Sequence, residues 1–439
     1  MSSDKKVHII SLGCVKNTVD SEIIAGGLEF AGIQLVDDPE RADTIIINTC
    51  GFIGDAKQES IDVILEAAQL KQRGELRELL VAGCLSARYR EELTREMPEV
   101  DRFFVTEDFE RIFEHITLKP HLAVDPDHQR KLMTPRHYAY LKISEGCDNV
   151  CSFCAIPLMR GKQRSREIPA ILDEARRLVD RGVRELMVIG QDTTTYGWDL
   201  RPKQYLHELL GQLDNLEGLD WLRLHYAHPA HFSRKLISVF QQAQRLLPYL
   251  DIPVQHASSR MLKAMKRGLD GTGLRRLLRD LRAGIPDLQL RTSLIVGFPG
   301  ETEDDFAELM DFLEEIRFER VGVFTYSEEE DTSAADLEDD VPAEVKAERM
   351  DAVMALQHSI SLENNQAMVD RTLQVIVDKP DPDDPEACLA RTRWDAPDID
   401  QTVYVDSRLE PGSLVDVRIH SAGPYELFAS PVQLQKEKA

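Results

Sequence analysis

The chain of 439 residues has no apolar run long enough to cross a bilayer, which takes about 20 residues as a helix. Positive charge is scarce. There are 53 Lys plus Arg against 77 Asp plus Glu, a net charge of −24. That balance disfavours a partner held by simple neutralisation of phosphates and suits a basic protein better. Cysteine is also sparse. Its seven copies, an odd number widely spread, do not suggest a disulfide framework. Lys5 and Lys6 followed by VHIISLGC faintly outline a lipoprotein signal ending at Cys14. Its apolar part is too short, however, and His8 interrupts it. A reducing, cytoplasmic location is therefore expected. With 42% hydrophobic and 30% charged residues, the composition is that of a soluble globular protein. The length exceeds one ordinary core, so two or three domains are expected.

What is present centres on Glu145 to Arg166, EGCDNVCSFCAIPLMRGKQRSR. Cys147, Cys151 and Cys154 follow one another as C-x₃-C-x₂-C, close enough in a loop to converge on one metal centre. Three thiolates are one short of a closed zinc site. They are also one short of a fully protein-ligated 4Fe–4S cube. Zinc would need a fourth Cys or His, but His207 is distant and His137 lies across a predicted strand. A cube held by three cysteines leaves one iron that a small molecule can chelate.

Residues 5–120 alternate short apolar strands with helical patterns, which predicts an open parallel α/β sheet covered by helices. VHIISLGC, IQLV, TIIINTC, ELLVAGC and FFVT read as strands. Val19 to Ala31, Asp55 to Lys71 and Phe109 to Ile116 read as helices. Cys14, Cys50 and Cys84 each fall at the carboxyl end of a strand, the edge where open α/β sheets bind ligands. Three such positions beside a second three-cysteine motif point to a second metal centre rather than three small buried residues. Cys388 stands alone near an acidic loop and reads as an ordinary thiol.

Residues 121–137 are polar and read as a linker. From Tyr138 to Asp370 the alternation resumes in longer units. YLKIS, ELMVIG, WLRLHYAHP, LDIPVQH, LRTSLIVGFPG and RVGVFTYS give six βα-type units. Six rather than eight predicts a partial (β/α)₆ barrel, open on one side, with its reactive groups at the strands' carboxyl ends. Thr302 and Asp305 form a capping-box pattern ahead of Phe306, Leu309, Met310, Leu313 and Ile316 at helical spacing. Pro342 starts a long helix reaching about Val369. Residues 371–439 then turn to short strands, TLQVIVD, TVYVDS, SLVDVRIH and YELFAS, separated by turn-forming segments. They predict a small antiparallel β-barrel.

The loop C-x₃-C-x-aromatic-C, with Phe153 before its last cysteine, resembles the signature of the radical S-adenosylmethionine (SAM) enzymes. Across essentially the whole chain, the order of parts resembles the methylthiotransferases, a subgroup of that superfamily whose last domain is a TRAM barrel. SLGCVKNTVDSE, INTCGFI, CSFCAIPLMRG, QDTTTYG, DIPVQH and GFPGETEDDF carry the resemblance. It implies that Cys147, Cys151 and Cys154 hold a 4Fe–4S cube that cleaves SAM to a 5′-deoxyadenosyl radical. It implies also that Cys14, Cys50 and Cys84 hold an auxiliary cube whose open iron carries a sulfur atom. One SAM would methylate that sulfur, and a second would yield the radical that takes hydrogen from the substrate carbon.

The same resemblance places Gln191, Asp192, Gln255, Gly297 and Gly300 at the SAM site, with His256 near ribose or substrate. Each has a structural reading beside it, as a polar loop, a tight turn or a packed histidine. Arg160, Arg164 and Arg166 are basic enough to bind a carboxylate, and a solvated helix start explains them equally well. No Ser–His–Asp set is expected, since a side-chain base is of no use against an unactivated C–H bond.

The match is closest to the branch whose substrate is an aspartate of the small-subunit ribosomal protein S-twelve. The rival branch modifies an adenosine of transfer RNA. From Thr372 to Ala439 there are seven Lys plus Arg and thirteen Asp plus Glu, a net of −6. An RNA-binding barrel presents a basic face, so RNA contact is not favoured. Asp192 stands where the transfer-RNA branch is expected to carry Asn. An electron donor and a sulfur donor are implied as further partners. An iron–sulfur electron carrier without chemistry of its own is the different-class alternative, and the GFPGE loop argues against it. One departure from the family pattern is Asp370, where Gly is expected before the last domain.

Overall fold

In the computed structural model, the structure describes residues 5–119 and 129–432. The β-branched run Thr44–Thr49 is buried along its whole length, as befits an inner strand of a parallel sheet. It is β3 of a five-stranded sheet with β1 (Lys6–Ser11), β2 (Gln34–Leu35), β4 (Glu78–Gly83) and β5 (Arg102–Phe103). The order is β2-β1-β3-β4-β5, with every pair parallel. Ser11 is opposite Asn48 and Thr49 is opposite Gly83, so the carboxyl ends of β1, β3 and β4 share one edge.

Two expected helices are found as Gly54–Gln72 and Phe109–Thr117. The one expected from Val19 begins earlier, spanning Val15–Phe30 with Cys14 as its N-cap. A helix that was not anticipated, Cys84–Glu96, follows β4 directly. Its exposed face is almost entirely charged, and only Cys84, Leu85, Ser86 and Leu93 are buried, which leaves little apolar periodicity to read.

The second sheet begins with β6 (Tyr138–Lys142). A small antiparallel pair, β7 (Ser144–Glu145) and β8 (Arg164–Ser165), brackets the cysteine loop. The sheet continues with β9 (Glu185–Ile189), β10 (Trp221–Leu224), β11 (Leu246–Asp251), β12 (Gln289–Val296) and β13 (Arg320–Thr325). Its order, β13-β12-β11-β10-β9-β6, is all parallel and unclosed, the open six-stranded barrel that was expected. The largest core lies between this sheet and its helices. Leu222, Leu250, Leu290 and Phe312 are fully buried there, and each contributes about 1.5–3 kcal/mol. The capping box is present in both directions at Thr302 and Asp305, ahead of the helix Glu303–Ile316. The long helix spans Ala343–Gln366 with Pro342 at its N-cap.

The third unit is a closed barrel of β14 (Thr372–Pro380), β15 (Cys388–Thr392), β16 (Thr402–Val405), β17 (Leu414–Ala422) and β18 (Glu426–Pro431). Its pairings are antiparallel except β16 with β18, which run parallel. Cys388 is buried in its core, in keeping with an ordinary thiol. Asp370 takes φ +68°, the conformation for which glycine is the usual choice, and its N–H donates to Ile419 O at 2.8 Å. Glu185 of β9 joins this barrel to the second sheet, since it is fully buried between Arg223 of β10 and Arg391 of β15.

The reading of 121–137 as a linker falls in part outside the described residues. Of its described part, Arg130 is buried and donates to Glu22 at 2.6 Å and Glu174 at 2.8 Å, which ties the first and second units together. Among the described residues, no helix is long and apolar enough to cross a membrane.

Candidate functional site

The carboxyl edge of the first sheet gathers three thiols. Cys14 caps the helix after β1, Cys50 directly follows β3, and Cys84 begins the helix after β4. Asn17 fastens the three turns to one another. Its side-chain amide donates to Leu12 O at 2.8 Å and Thr49 O at 2.9 Å, and its carbonyl lies 3.7 Å from the Cys84 Sγ. Ser60 holds both the N–H and the carbonyl of Cys50. Gly13, at φ +81°, leaves the room in which the Cys50 thiol sits. A Cβ there would fall 2.6 Å from Cys50 Cβ and 2.8 Å from its Sγ. Burial pushes the Cys84 thiol up to about 12 and raises Cys50 as well, while Cys14 is exposed.

The second trio lies at the carboxyl end of β6, in the loop bracketed by β7 and β8. Cys147 is buried, and its N–H donates to Gly161 O at 3.1 Å. Burial raises Cys147 to about 11 and Cys154 to about 12. Arg267 donates to the Cys151 Sγ at 3.1 Å and to Pro253 O at 2.6 Å. Sequence reading had no signal for Arg267, because only the tertiary fold brings it to this loop. Buried thiols of this kind ionise when a metal supplies the compensating charge. Each trio offers three soft sulfur donors, which suits iron–sulfur ligation.

The two edges face each other. Cys84 packs in one apolar cluster with Ala155, Ile156 and Met159, in the segment that follows Cys154. Beside this contact runs a buried ionic network. Arg160 donates to Glu145 at 2.9 Å, to Asn17 Oδ1 at 2.5 Å and to Asp20 at 3.0 Å. Lys142 reaches Asp20 at 2.5 Å and Glu145 at 2.8 Å. Burial alone would raise the Glu145 carboxyl, but Lys142 and Arg160 hold it well below the usual carboxylate range. Asn17, which steadies the first trio, is therefore two hydrogen bonds from Glu145, which sits two residues before Cys147.

Of the other residues expected at the site, Gln191 follows β9 and donates to Glu145 at 2.6 Å. Asp192 accepts from Asn149 of the cysteine loop at 2.7 Å and lies 3.0 Å from His231 Nδ1. It also caps the short helix Thr193–Thr195. Burial raises its carboxyl, yet the bonds from His231 and Thr194 bring it down to about 2. His228 stacks on His231 with ring centroids 4.7 Å apart, so Asp192, His228 and His231 converge next to the loop. Neither histidine had been singled out, although His225, His228 and His231 recur every third residue.

Gln255 lies just beyond β11, at φ +72°, and bridges to Leu294 of β12. His256 is fully buried, and its Nδ1 accepts from the N–H groups of Ala257 and Ser258 at 2.9 and 3.0 Å. Gly297 donates to Glu301 at 2.7 Å and faces Lys346 of the long helix, while Gly300 donates to Asp340 at 2.6 Å. The GFPG segment is thus a tight turn closed by this chain's own carboxylates. The three arginines likewise meet internal acids: Arg160 as above, Arg164 with Glu107, and Arg166 with Glu174.

Comparison with known proteins agrees with this architecture. Residues 6–105 match the Uncharacterized protein family UPF0004, residues 141–313 the Radical SAM superfamily, and residues 369–432 the TRAM domain. Among solved structures, the radical SAM methyltransferase TsrM from Kitasatospora setae, with cobalamin and a 4Fe–4S cluster bound, superposes with a TM-score of 0.52. The match is 14% identical and covers 74% of this chain and 75% of that one, a likeness of fold. A relative from Anaeromyxobacter sp. (strain Fw109-5), "Ribosomal protein uS12 methylthiotransferase RimO", is 47% identical over 444 residues, 99% of this chain and 94% of its own length. A protein of the same name from Aquifex aeolicus is 45% identical, covering 96% of each. With such identity over nearly its full length, the chain belongs to the ribosomal protein uS12 methylthiotransferase family, radical SAM transferases that use SAM and iron–sulfur chemistry.

Proposed function

We propose that this chain attaches a methylthio group to the β-carbon of an aspartate in the small-subunit ribosomal protein S-twelve, in the cytoplasm. Two 4Fe–4S clusters and two SAM molecules serve each turnover. Cys147, Cys151 and Cys154 hold the cluster that reduces SAM, and Cys14, Cys50 and Cys84 hold the auxiliary one. When bound, these groups supply radical generation and sulfur delivery, chemistry that no side chain can provide. One observation supports the reading: Cys84 of the first trio packs on Ala155 and Met159, in the segment that follows the second.

The protein's own residues position and insulate. Arg267 offers charge and a hydrogen bond to Cys151, while Asn17, Arg160 and Glu145 lock the two thiol-bearing edges in register. Asp192 fixes the cysteine loop through Asn149 and, with Gln191, Gln255, Gly297 and Gly300, borders the ground assigned to SAM. The acidic C-terminal barrel favours a basic protein client over RNA. An electron donor and a sulfur donor complete the reaction. The test is anaerobic incubation of the reconstituted enzyme with SAM, a reductant and either S-twelve or transfer RNA, followed by mass analysis. Methylthio addition to the ribosomal aspartate is expected. Addition to the RNA alone would overturn the substrate assignment.

A further inference from the structure

Buried cations in this protein are almost uniformly neutralised. Lys142 and Arg160 share Asp20 and Glu145, Arg130 lies between Glu22 and Glu174, and Arg223 meets Glu185. Arg267, which among the described residues has no carboxylate partner, gives its protons to Cys151 and to a backbone carbonyl. Lys16 breaks the pattern. It is only 8% exposed, yet among the described residues its ammonium has neither an ion pair nor a hydrogen-bond acceptor. Its Nζ rests 2.9 Å from the centroid of the Tyr226 ring. A cation–π contact recovers part of what burial takes from an ammonium, and far less than an anion would. Lys16 also sits in the first turn of the helix Val15–Phe30, a turn without acidic residues, where the helix dipole itself favours negative charge. A lysine that defies both burial and the dipole marks a place completed by something else.

Its position says what. Lys16 is two residues past Cys14, and Tyr226 is two residues past the end of β10, at the carboxyl rim of the second sheet. The Tyr226 carbonyl accepts from Thr193, the neighbour of Asp192, at 3.1 Å. The ammonium therefore stands between the first thiol edge and the barrel rim. We infer that Lys16 receives the side-chain carboxylate of the target aspartate, an inference that rests on the protein-substrate reading above. The β-carbon of an aspartate is one bond from its carboxylate carbon, so gripping the carboxylate fixes the carbon that is to be modified. An adenosine has no carboxylate to offer this site.

The test uses the reconstituted full-length enzyme and S-twelve bearing Asp or Asn at the target position. Affinity is measured by fluorescence anisotropy without reductant, and modification by mass analysis with it. Wild type is expected to prefer Asp over Asn by about a hundredfold, the scale of losing one partner of a buried charge pair. Lys16→Met should bind both forms alike, and Lys16→Arg should keep part of the preference. Iron content verifies that each variant carries its clusters. A Lys16→Met enzyme that retains the full Asp preference overturns the inference and leaves the substrate reading standing. Equal binding of Asp and Asn by wild type overturns it without recourse to any variant. Iron-replete wild type that leaves S-twelve unmodified sinks the substrate reading itself, and this inference with it.

Discussion

Replacing Gly13 by Ala isolates the first thiol edge. The added Cβ would meet Cys50 Cβ at 2.6 Å and its Sγ at 2.8 Å, where carbon contacts normally settle at about 3.5–4.0 Å. Something must give by about 1 Å, and the nearest atoms belong to a proposed cluster ligand. The left-handed backbone at φ +81° adds about 1–2 kcal/mol for an L-residue, and overpacking typically about 1–3 kcal/mol. The expected destabilisation is therefore about 2–5 kcal/mol, concentrated on Cys50. Anaerobic iron and sulfide analysis should show a loss of about half the metal, with the other cluster's share retained. 5′-Deoxyadenosine should still form while methylthio transfer fails. Gly32→Ala is the control, since Gly32 has φ +83° but nothing within 4 Å of its added Cβ. It bears the backbone strain alone and should keep all its iron. Full metal content and normal transfer in Gly13→Ala would refute the packing argument.

Two further predictions concern stability. Glu185→Ala leaves the fully buried Arg223 without its carboxylate and Arg391 with Asp378 alone. It should cost about 3–5 kcal/mol in urea unfolding and expose the segment before β14 to limited proteolysis. A loss below about 1 kcal/mol would show that the pair is dispensable. His256 is held neutral by burial, its pKa lowered to about 4 from an ordinary value near 6.5. Between those values the unfolded chain takes up a proton that the folded one refuses, so stability is full above pH 6.5 and falls as pH drops toward 4. The contribution is about 3 kcal/mol. His256→Asn, which keeps an acceptor for the Ala257 and Ser258 N–H groups, should flatten that slope. An unchanged slope would place the effect elsewhere.

Much of this architecture was legible in the sequence, because strand ends and cysteine spacing are local signals. TIIINTC announced a buried strand with a thiol at its end; the first trio was read from such strand ends and the second from its C-x₃-C-x₂-C spacing. The six-stranded sheet and the Thr302 capping box were equally local. What escaped depends on tertiary contact. β15 hid behind DPDDPE, since its short run Cys388–Thr392 alternates poorly and includes Arg391, buried because Glu185 and Asp378 await it. The helix after β4 hid beneath its charged face. Arg267 reaches Cys151 from 116 positions away, and His228 and His231 meet Asp192 only after β9 and β10 align. The early start of the first helix also escaped, and with it Lys16, whose meaning lies in the partner it lacks.

The account depends on two separately held clusters serving one substrate, and the variant Cys14→Ala/Cys50→Ala/Cys84→Ala addresses that most directly. Reconstituted anaerobically and given SAM, reductant and S-twelve, it should carry about half the wild-type iron, still form 5′-deoxyadenosine and transfer no methylthio group. Transfer at the wild-type rate, or iron content equal to wild type, would contradict the account.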